Sequence, residues 1–140
     1  MLCNPAMQEA SSTQEFKPAL LQKVAGILAT FRRLPGVEGV ALARQDGVMV
    51  SSILPQSREQ RRVASISAGL AVTSDMAAEE IGRREVSHTI VATLEGDIIV
   101  RKVGDEYALI VILRPEANLG MVLLHIGRAS EELRVVVTPL

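Results

Sequence analysis

The residues that could carry chemistry are few, and their spacing does not match a known type of active site. His88 and His125 lie far apart in the sequence, and no cysteine accompanies either at metal-ligand spacing. We therefore expect surface or hydrogen-bonded histidines rather than metal ligands. Glu79 and Glu80 are adjacent, so on a helix they point in different directions and do not form an acid/base pair.

Two further kinds of site are missing from the sequence. Ser65, Ser67 and Ser74 lack a plausible general base and do not lie in a nucleophile elbow. The phosphate-loop pattern G-x-x-x-x-G-K-[ST] does not occur. We predict that the protein has no catalytic residue, no cofactor and no metal site, and that it is not an enzyme.

Arginines flank the longest predicted helix. Arg58, Arg61 and Arg62 lie at its start, and Arg83 and Arg84 lie at its end. An arginine supplied in trans can stabilise the charge of phosphoryl transfer on a GTPase. A solvated helix end is the simpler interpretation, and the helix dipole favours cations at the C-terminal end.

The composition restricts the class of protein. With 140 residues, 48% of them hydrophobic, the chain is long enough for one domain with a sizeable core. A formal net charge of -1 and only two Phe and one Tyr argue against a nucleic-acid partner. No apolar run is long enough to span a membrane, and the N-terminus does not resemble a signal peptide. The single Cys3 fits a reducing compartment, so we expect a cytoplasmic protein without direct membrane insertion.

Hydrophobic periodicity and turn residues predict eight elements after a polar tail over residues 1–14, which we expect to be disordered. Asp46-Gly47 is a strong hairpin signal, and Ser57 with Gln60 forms a capping box for a long helix. The predicted elements are a helix over about 17–33, strands over Val37–Ala43 and Val48–Ile53, a helix from Ser57 to about Arg84, strands over His88–Leu94, 97–104 and 105–113, and a helix capped by Asn118.

These elements predict an α+β fold. Hairpin connections make the sheet largely antiparallel. The segment Ala108–Leu113 is apolar on both faces, so this strand should lie at the centre, covered on both sides. The expected architecture is an α-β-β-α-β-β-β-α sandwich, with a five-stranded, largely antiparallel sheet, one long helix on one face and the first and last helices on the other.

The long helix is unusual because about half of the residues from Arg62 to Gly82 are Ala, Gly, Ser or Thr. At about 100° per residue it divides into three stripes, none of them strongly charged. We expect the first stripe to lie on the sheet, while the other two need other surfaces to cover them. The stripes are Val63, Ile66, Leu70, Ala77 and Ile81; Ser65, Gly69, Val72 and Met76; and Ala64, Ala68, Ala71, Asp75, Ala78 and Gly82.

The same helix of a second copy is the simplest cover for the second stripe. Small residues four apart let another backbone approach closely, and two-fold homodimers are the commonest oligomers. A helix buried wholly within its own monomer is the alternative. If His88–Leu94 is an edge strand, its free edge would join the contact. The predicted dimer interface comprises Ser65, Gly69, Val72, Met76, His88, Ile90, Ala92 and Leu94.

The third stripe would then remain as a shallow apolar platform with an arginine rim. Exposed apolar patches mark partner sites, and arginines suit an acidic or phosphate-bearing partner. The alternative is that the alanines only permit close packing on the sheet. The predicted partner-binding residues are Arg58, Arg61, Ala64, Ala68, Ala71, Asp75, Ala78 and Arg83.

The order of elements, the segment from Pro35-Gly36-Val37 to Asp46-Gly47, and Asn118-Leu119-Gly120 in the last helix together resemble the roadblock (dynein light chain) family. The resemblance covers about Lys17 to Val135. It implies a single roadblock-like domain, which we place at residues 15–137, and a scaffold that forms homodimers or heterodimers. Many members of this family act with Ras-like GTPases, as platforms or as activators, and others are dynein light chains.

The resemblance therefore implies a non-enzymatic homodimeric adaptor or regulator that binds a small Ras-like GTPase through its long second helix, and at most activates that GTPase. Two other functions stay open. One is a module that senses a small molecule between sheet and helix, although the paucity of aromatic residues disfavours a ligand pocket. The other is a light-chain subunit of a larger complex.

Overall fold

The computed structural model describes residues 17–54 and 60–138. All eight predicted elements occur in the predicted order. The predicted tail over residues 1–14 and Ser57 of the predicted capping box lie outside the described residues. The elements are α1 (Pro18–Ala29), β1 (Val37–Arg44), β2 (Met49–Ile53), α2 (Gln60–Glu80), β3 (Thr89–Thr93), β4 (Gly96–Val103), β5 (Tyr107–Leu113) and α3 (Leu119–Val137).

The five strands form one antiparallel sheet in the order β2-β1-β5-β4-β3. As predicted, β5 is the central strand, and nearly all of its residues are buried. One large core lies on the side of α1 and α3, and a second, smaller core lies under α2. The predicted α+β fold class is therefore confirmed. The strands β2 and β3 are the two edges, and β3 pairs with β4 alone within the described sheet.

The two faces of the sheet bury side chains of different size. Large residues such as Leu28 and Phe31 fill the core on the side of α1 and α3. Under α2, by contrast, β1 contributes Ala41 and Ala43, and Ala71 of α2 packs in the same cluster. Small side chains on both partners let a helix lie close to a sheet without leaving voids. Alanines of α2 are therefore part of the packing between helix and sheet.

The C-terminal end of α2 differs from the prediction, which extended the helix to about Arg84. The helix ends at Glu80, and Gly82 follows with a φ of 74°. The backbone N–H of Arg83 donates to the carbonyl of Ala78 at 2.8 Å, and that of Gly82 donates to Glu79 at 3.0 Å. These two bonds form a Schellman motif, in which a glycine in the left-handed region ends the helix.

The other predicted turns and caps agree with the structure. Pro18 occupies the first turn of α1, and the last predicted turn of that helix, Thr30–Arg33, is 3₁₀-helical. Gly47 in the hairpin between β1 and β2 has a φ of 96°. The Oδ1 atom of Asn118 accepts a hydrogen bond from the backbone N–H of Met121 at 3.1 Å and caps α3.

Candidate functional site

The exposed surface of α2 is the main candidate site, and the rotation of this helix differs from the prediction. Ile66, expected on the sheet, is 64% exposed, and Ala77 and Ile81 are exposed as well. Ala68, expected on the outer platform, is only 1% exposed. The predicted sheet-facing stripe is therefore wrong at Ile66, Ala77 and Ile81. The prediction placed the isoleucines on the sheet because they are strongly hydrophobic. In the structure α2 lies close to alanines of the strands below it, and small side chains of the helix fit this close contact.

This rotation removes most of the predicted partner platform. Ala68 and Ala71 are buried, so the prediction that they line an exposed surface is wrong. Asp75 is half-buried, and the Nζ atom of Lys102 on β4 donates to its Oδ2 at 2.8 Å. Ala78 is half-buried and Arg83 is exposed. Arg58 lies outside the described residues, and so do the side chains of Arg61 and Ala64.

The α2 part of the predicted dimer interface is exposed. Ser65, Gly69, Val72 and Met76 all lie on the open side of the helix. A Cβ atom built on Gly69 would meet no atom within 4 Å. A second backbone can therefore approach α2 closely at Gly69. We name Ser65, Gly69, Val72 and Met76 the glycine flank of α2.

The β3 side chains predicted for the same interface lie on the other face of the sheet. Ile90 pairs with Ile99, whose side chain belongs to the core under α1 and α3. Ala92 is two residues further along the strand and therefore shares this face. His88 and Leu94 flank β3 rather than belong to it, and Leu94 is 94% exposed. Ile90 and Ala92 therefore lie on the face opposite α2, whereas His88 lines a small cavity together with Ala71 and Asp75 of α2.

Sequence reasoning missed the two β3 residues that do face α2. The Oγ1 atom of Thr89 donates to Oγ of Ser74 on α2 at 2.7 Å. Val91 pairs with Ile98, which packs against the cluster under α2. Strand alternation places Thr89 and Val91 on one face of the sheet, but it does not indicate which helix covers that face.

A cleft of about 530 Å³ opens at the C-terminal end of α2. Arg83 and Arg84 line this cleft together with the acidic residues Glu79 and Glu85. Because cations and carboxylates alternate around it, the cleft has no single sign of charge that would select an anion. Arg83 therefore lies at the edge of the α2 surface without forming an anion site of its own.

Both histidines hydrogen-bond to hydroxyl groups, as expected. Nδ1 of His88 lies 3.0 Å from the Oγ atom of Ser87. Nε2 of His125 on α3 lies 2.7 Å from the Oγ1 atom of Thr30, and that hydroxyl donates its proton to the carbonyl of Ile27 at 2.6 Å. The Nε2–H of His125 must therefore be the donor to Thr30. The imidazole also contacts the ring of Phe31 edge-to-face, with centroids 4.5 Å apart.

The stability of the fold is expected to depend on pH through His125. Burial lowers the pKa of His125 below its ordinary value, Arg128 lowers it further, and Glu132 raises it. The unfolded chain therefore binds a proton more readily, so this stabilisation is fully present above about pH 6.5 and is lost as the pH falls toward the folded-state pKa. Urea unfolding from pH 8 to pH 5 measures the effect, and His125→Gln should flatten that part of the profile. An unchanged profile in His125→Gln would contradict this role.

The described residues contain no group of three or more His, Cys, Asp or Glu side chains placed to hold a metal ion. Among the helices of residues 17–54 and 60–138, none is both long enough and apolar enough to cross a bilayer.

Comparisons with known proteins identify the family and, separately, the fold. A family model described as "Roadblock/LC7 domain" matches residues 23–113. An uncharacterized protein of Methanocaldococcus jannaschii is 24% identical over 110 residues, which cover 79% of this chain and 96% of the relative. The predicted domain limits of 15–137 stay a prediction.

Solved structures of two proteins share the fold. The gliding protein MglB of Thermus thermophilus superposes with a TM-score of 0.78 at 21% identity, covering 86% of this chain and 93% of that protein. MglB of Myxococcus xanthus superposes with a TM-score of 0.75 at 23% identity, covering 89% and 96%. At this level of identity the likeness establishes the fold.

Proposed function

Because the chain belongs to the roadblock/LC7 domain family, we propose that it is a non-enzymatic homodimer that binds and modulates a small Ras-like GTPase. The family is typically regulatory rather than enzymatic, and many of its members act with GTPases of this class. The similarity of the fold to MglB structures supports the same assignment. The observation that carries the proposal is the exposed, largely apolar outer surface of α2 beside the free edge of β3.

The dimer contact that we propose joins the glycine flank of α2 and the edge of β3 to the same surfaces of a second copy. Met76 on this flank is 61% exposed, and Val72 is also exposed. The hydrogen bond between Thr89 and Ser74 fixes β3 beside the C-terminal half of α2. An exposed edge strand next to an apolar helix favours pairing with another chain.

The GTPase contact that we propose uses the other exposed side of α2. Ile66, Ala77 and Ile81 lie there, and Arg83 follows the end of the helix. We name these four residues the isoleucine flank. An apolar centre with an arginine at its edge is typical of a protein interface. Because this flank is distinct from the glycine flank, a homodimer could present two copies of it to a partner.

Ala77→Arg is expected to weaken GTPase binding at least tenfold while the chain stays folded and dimeric. The long cation would enter a close apolar contact, and a loss of about 1.4 kcal/mol corresponds to a factor of ten in affinity. The measurement is the affinity for purified Ras-like GTPases of the same organism, each loaded with GDP or with a non-hydrolysable GTP analogue.

Ala25→Arg is the matched control, because Ala25 is an exposed alanine on α1, in the opposite layer. Equal binding by the wild type and Ala77→Arg would show that the isoleucine flank is not the partner site. A loss confined to Ala25→Arg would place the partner on the layer of α1 and α3 instead.

A further inference from the structure

The helix α3 has an exposed stripe in addition to its buried one. Its buried residues face the sheet, whereas five residues on the opposite side are all exposed and follow spacings of three and four. Leu124 is 61% exposed and Val135 is 68% exposed. Such spacing is typical of a helix that packs against another helix. We name Met121, Leu124, Arg128, Glu131 and Val135 the α3 crest.

The crest lies next to an apolar groove between α1 and α3. This groove has a volume of about 520 Å³, and Gly26, Ile27, Val135 and Val136 contribute to its lining. Large apolar side chains this exposed are unusual when they lie together beside a groove, and they indicate a contact surface. The family model ends at residue 113, so the crest belongs to a part of the chain beyond that match.

The charges of the crest indicate which partner would fit. Arg128 makes no ion pair within the described part of the chain, and Glu131 pairs on the surface with Arg134 at 3.0 Å. Arg128 and Glu131 lie symmetrically about a point between residues 129 and 130. Leu124 and Val135 lie symmetrically about the same point.

A two-fold axis through that point makes the crest complementary to itself. In an antiparallel pair of helices, Arg128 of each copy would lie opposite Glu131 of the other, and Leu124 would lie opposite Val135. Two reciprocal ion pairs would then occupy the centre, with an apolar pair on each side.

We propose that the α3 crest binds the α3 crest of a second copy of this chain in an antiparallel arrangement. This contact is independent of the proposed function, because α2 and α3 lie on opposite faces of the sheet. A chain that uses both contacts assembles beyond a dimer. Disruption of either contact alone then leaves a dimer held by the other.

Charge exchange tests the register of this contact. Arg128→Glu and Glu131→Arg should each weaken the crest contact at least tenfold, because each places like charges opposite each other twice. The double variant R128E/E131R should restore it. The measurement is sedimentation over a range of protein concentrations, with circular dichroism to verify folding. Arg33→Glu is the matched control, since it reverses another exposed arginine on the same layer.

The outcomes separate this contact from the proposed dimer. If Arg128→Glu lowers the mass and R128E/E131R restores it, the crest contact is supported, whatever Gly69→Leu does to the glycine flank. If Arg128→Glu and Glu131→Arg leave the mass of the assembly unchanged, the proposal of a crest contact is overturned. A lower mass of the Gly69→Leu variant would still support the proposed dimer. A double variant that stays as weak as the single ones would also overturn the antiparallel register.

Discussion

Gly69→Leu is expected to halve the mass of the assembly while each protomer stays folded. The glycine flank allows a second backbone close to α2 only because position 69 has no side chain. Overpacking such a contact costs about 1–3 kcal/mol, which corresponds to roughly a five- to 150-fold weaker association. Sedimentation at micromolar concentration measures the mass, and circular dichroism measures the helix content.

Gly69→Ala is the matched control for this substitution. Within the chain, a Cβ atom at position 69 meets no atom within 4 Å, and alanine is the better helix former. We expect Gly69→Ala to stabilise the protomer by about 0.5–1 kcal/mol. If Gly69→Leu keeps the wild-type mass, the glycine flank faces solvent and the proposed dimer contact is wrong.

Gly96→Ala is expected to destabilise the fold by about 3 kcal/mol, the largest effect of a single methyl group that we predict. Gly96 begins β4 directly after the turn from β3, and its φ of 124° lies in a region that L-residues rarely adopt. A Cβ atom there would overlap the backbone carbonyl of Leu113 at the end of β5. The cost of backbone strain and the cost of steric overlap therefore add at position 96.

Gly104→Ala separates the strain from the overlap. Gly104 also has a positive φ, of 62°, but a Cβ atom there would meet only the Oγ1 atom of Thr138, at an ordinary 3.6 Å. We expect Gly104→Ala to cost about 1–2 kcal/mol, from backbone strain alone. Urea unfolding measures both variants. Similar losses at the two positions would show that the overlap at Gly96 relaxes without cost.

The elements and their order could be predicted because turn residues and hydrophobic periods are local signals. Asp46-Gly47 in the first hairpin and Asn118 before α3 act through the backbone of their own segments. The central position of β5 followed from an apolar run that leaves neither face polar. The C-terminal end of α2 could also have been predicted, because Gly82 is a typical signal for the end of a helix. The prediction extended the helix past it because the hydrophobic stripes continue to that point.

The rotation of α2 about its own axis, which decides which residues face the sheet, could not be predicted from such local signals. Its three stripes are all small or apolar, so the contrast that normally identifies the buried side of a helix is weak. The decisive information lies in other segments, since Ala41 and Ala43 of β1 make the surface that accepts Ala71. Because of the same weak contrast, the partner platform was predicted to include Ala68 and Ala71, which are buried. The β3 side chains were misassigned because strand alternation defines two faces but not which helix covers each.

The most direct test of the proposed function is the mass of the complex that the chain forms with a Ras-like GTPase of the same organism. The GTPase is loaded with a non-hydrolysable GTP analogue and sedimented with the wild-type chain, whose mass is 15.1 kDa. We expect a complex that contains at least two copies of the chain together with the GTPase. The proposed function would be contradicted if the folded chain and every such GTPase sediment separately in both the GDP-bound and the analogue-bound state.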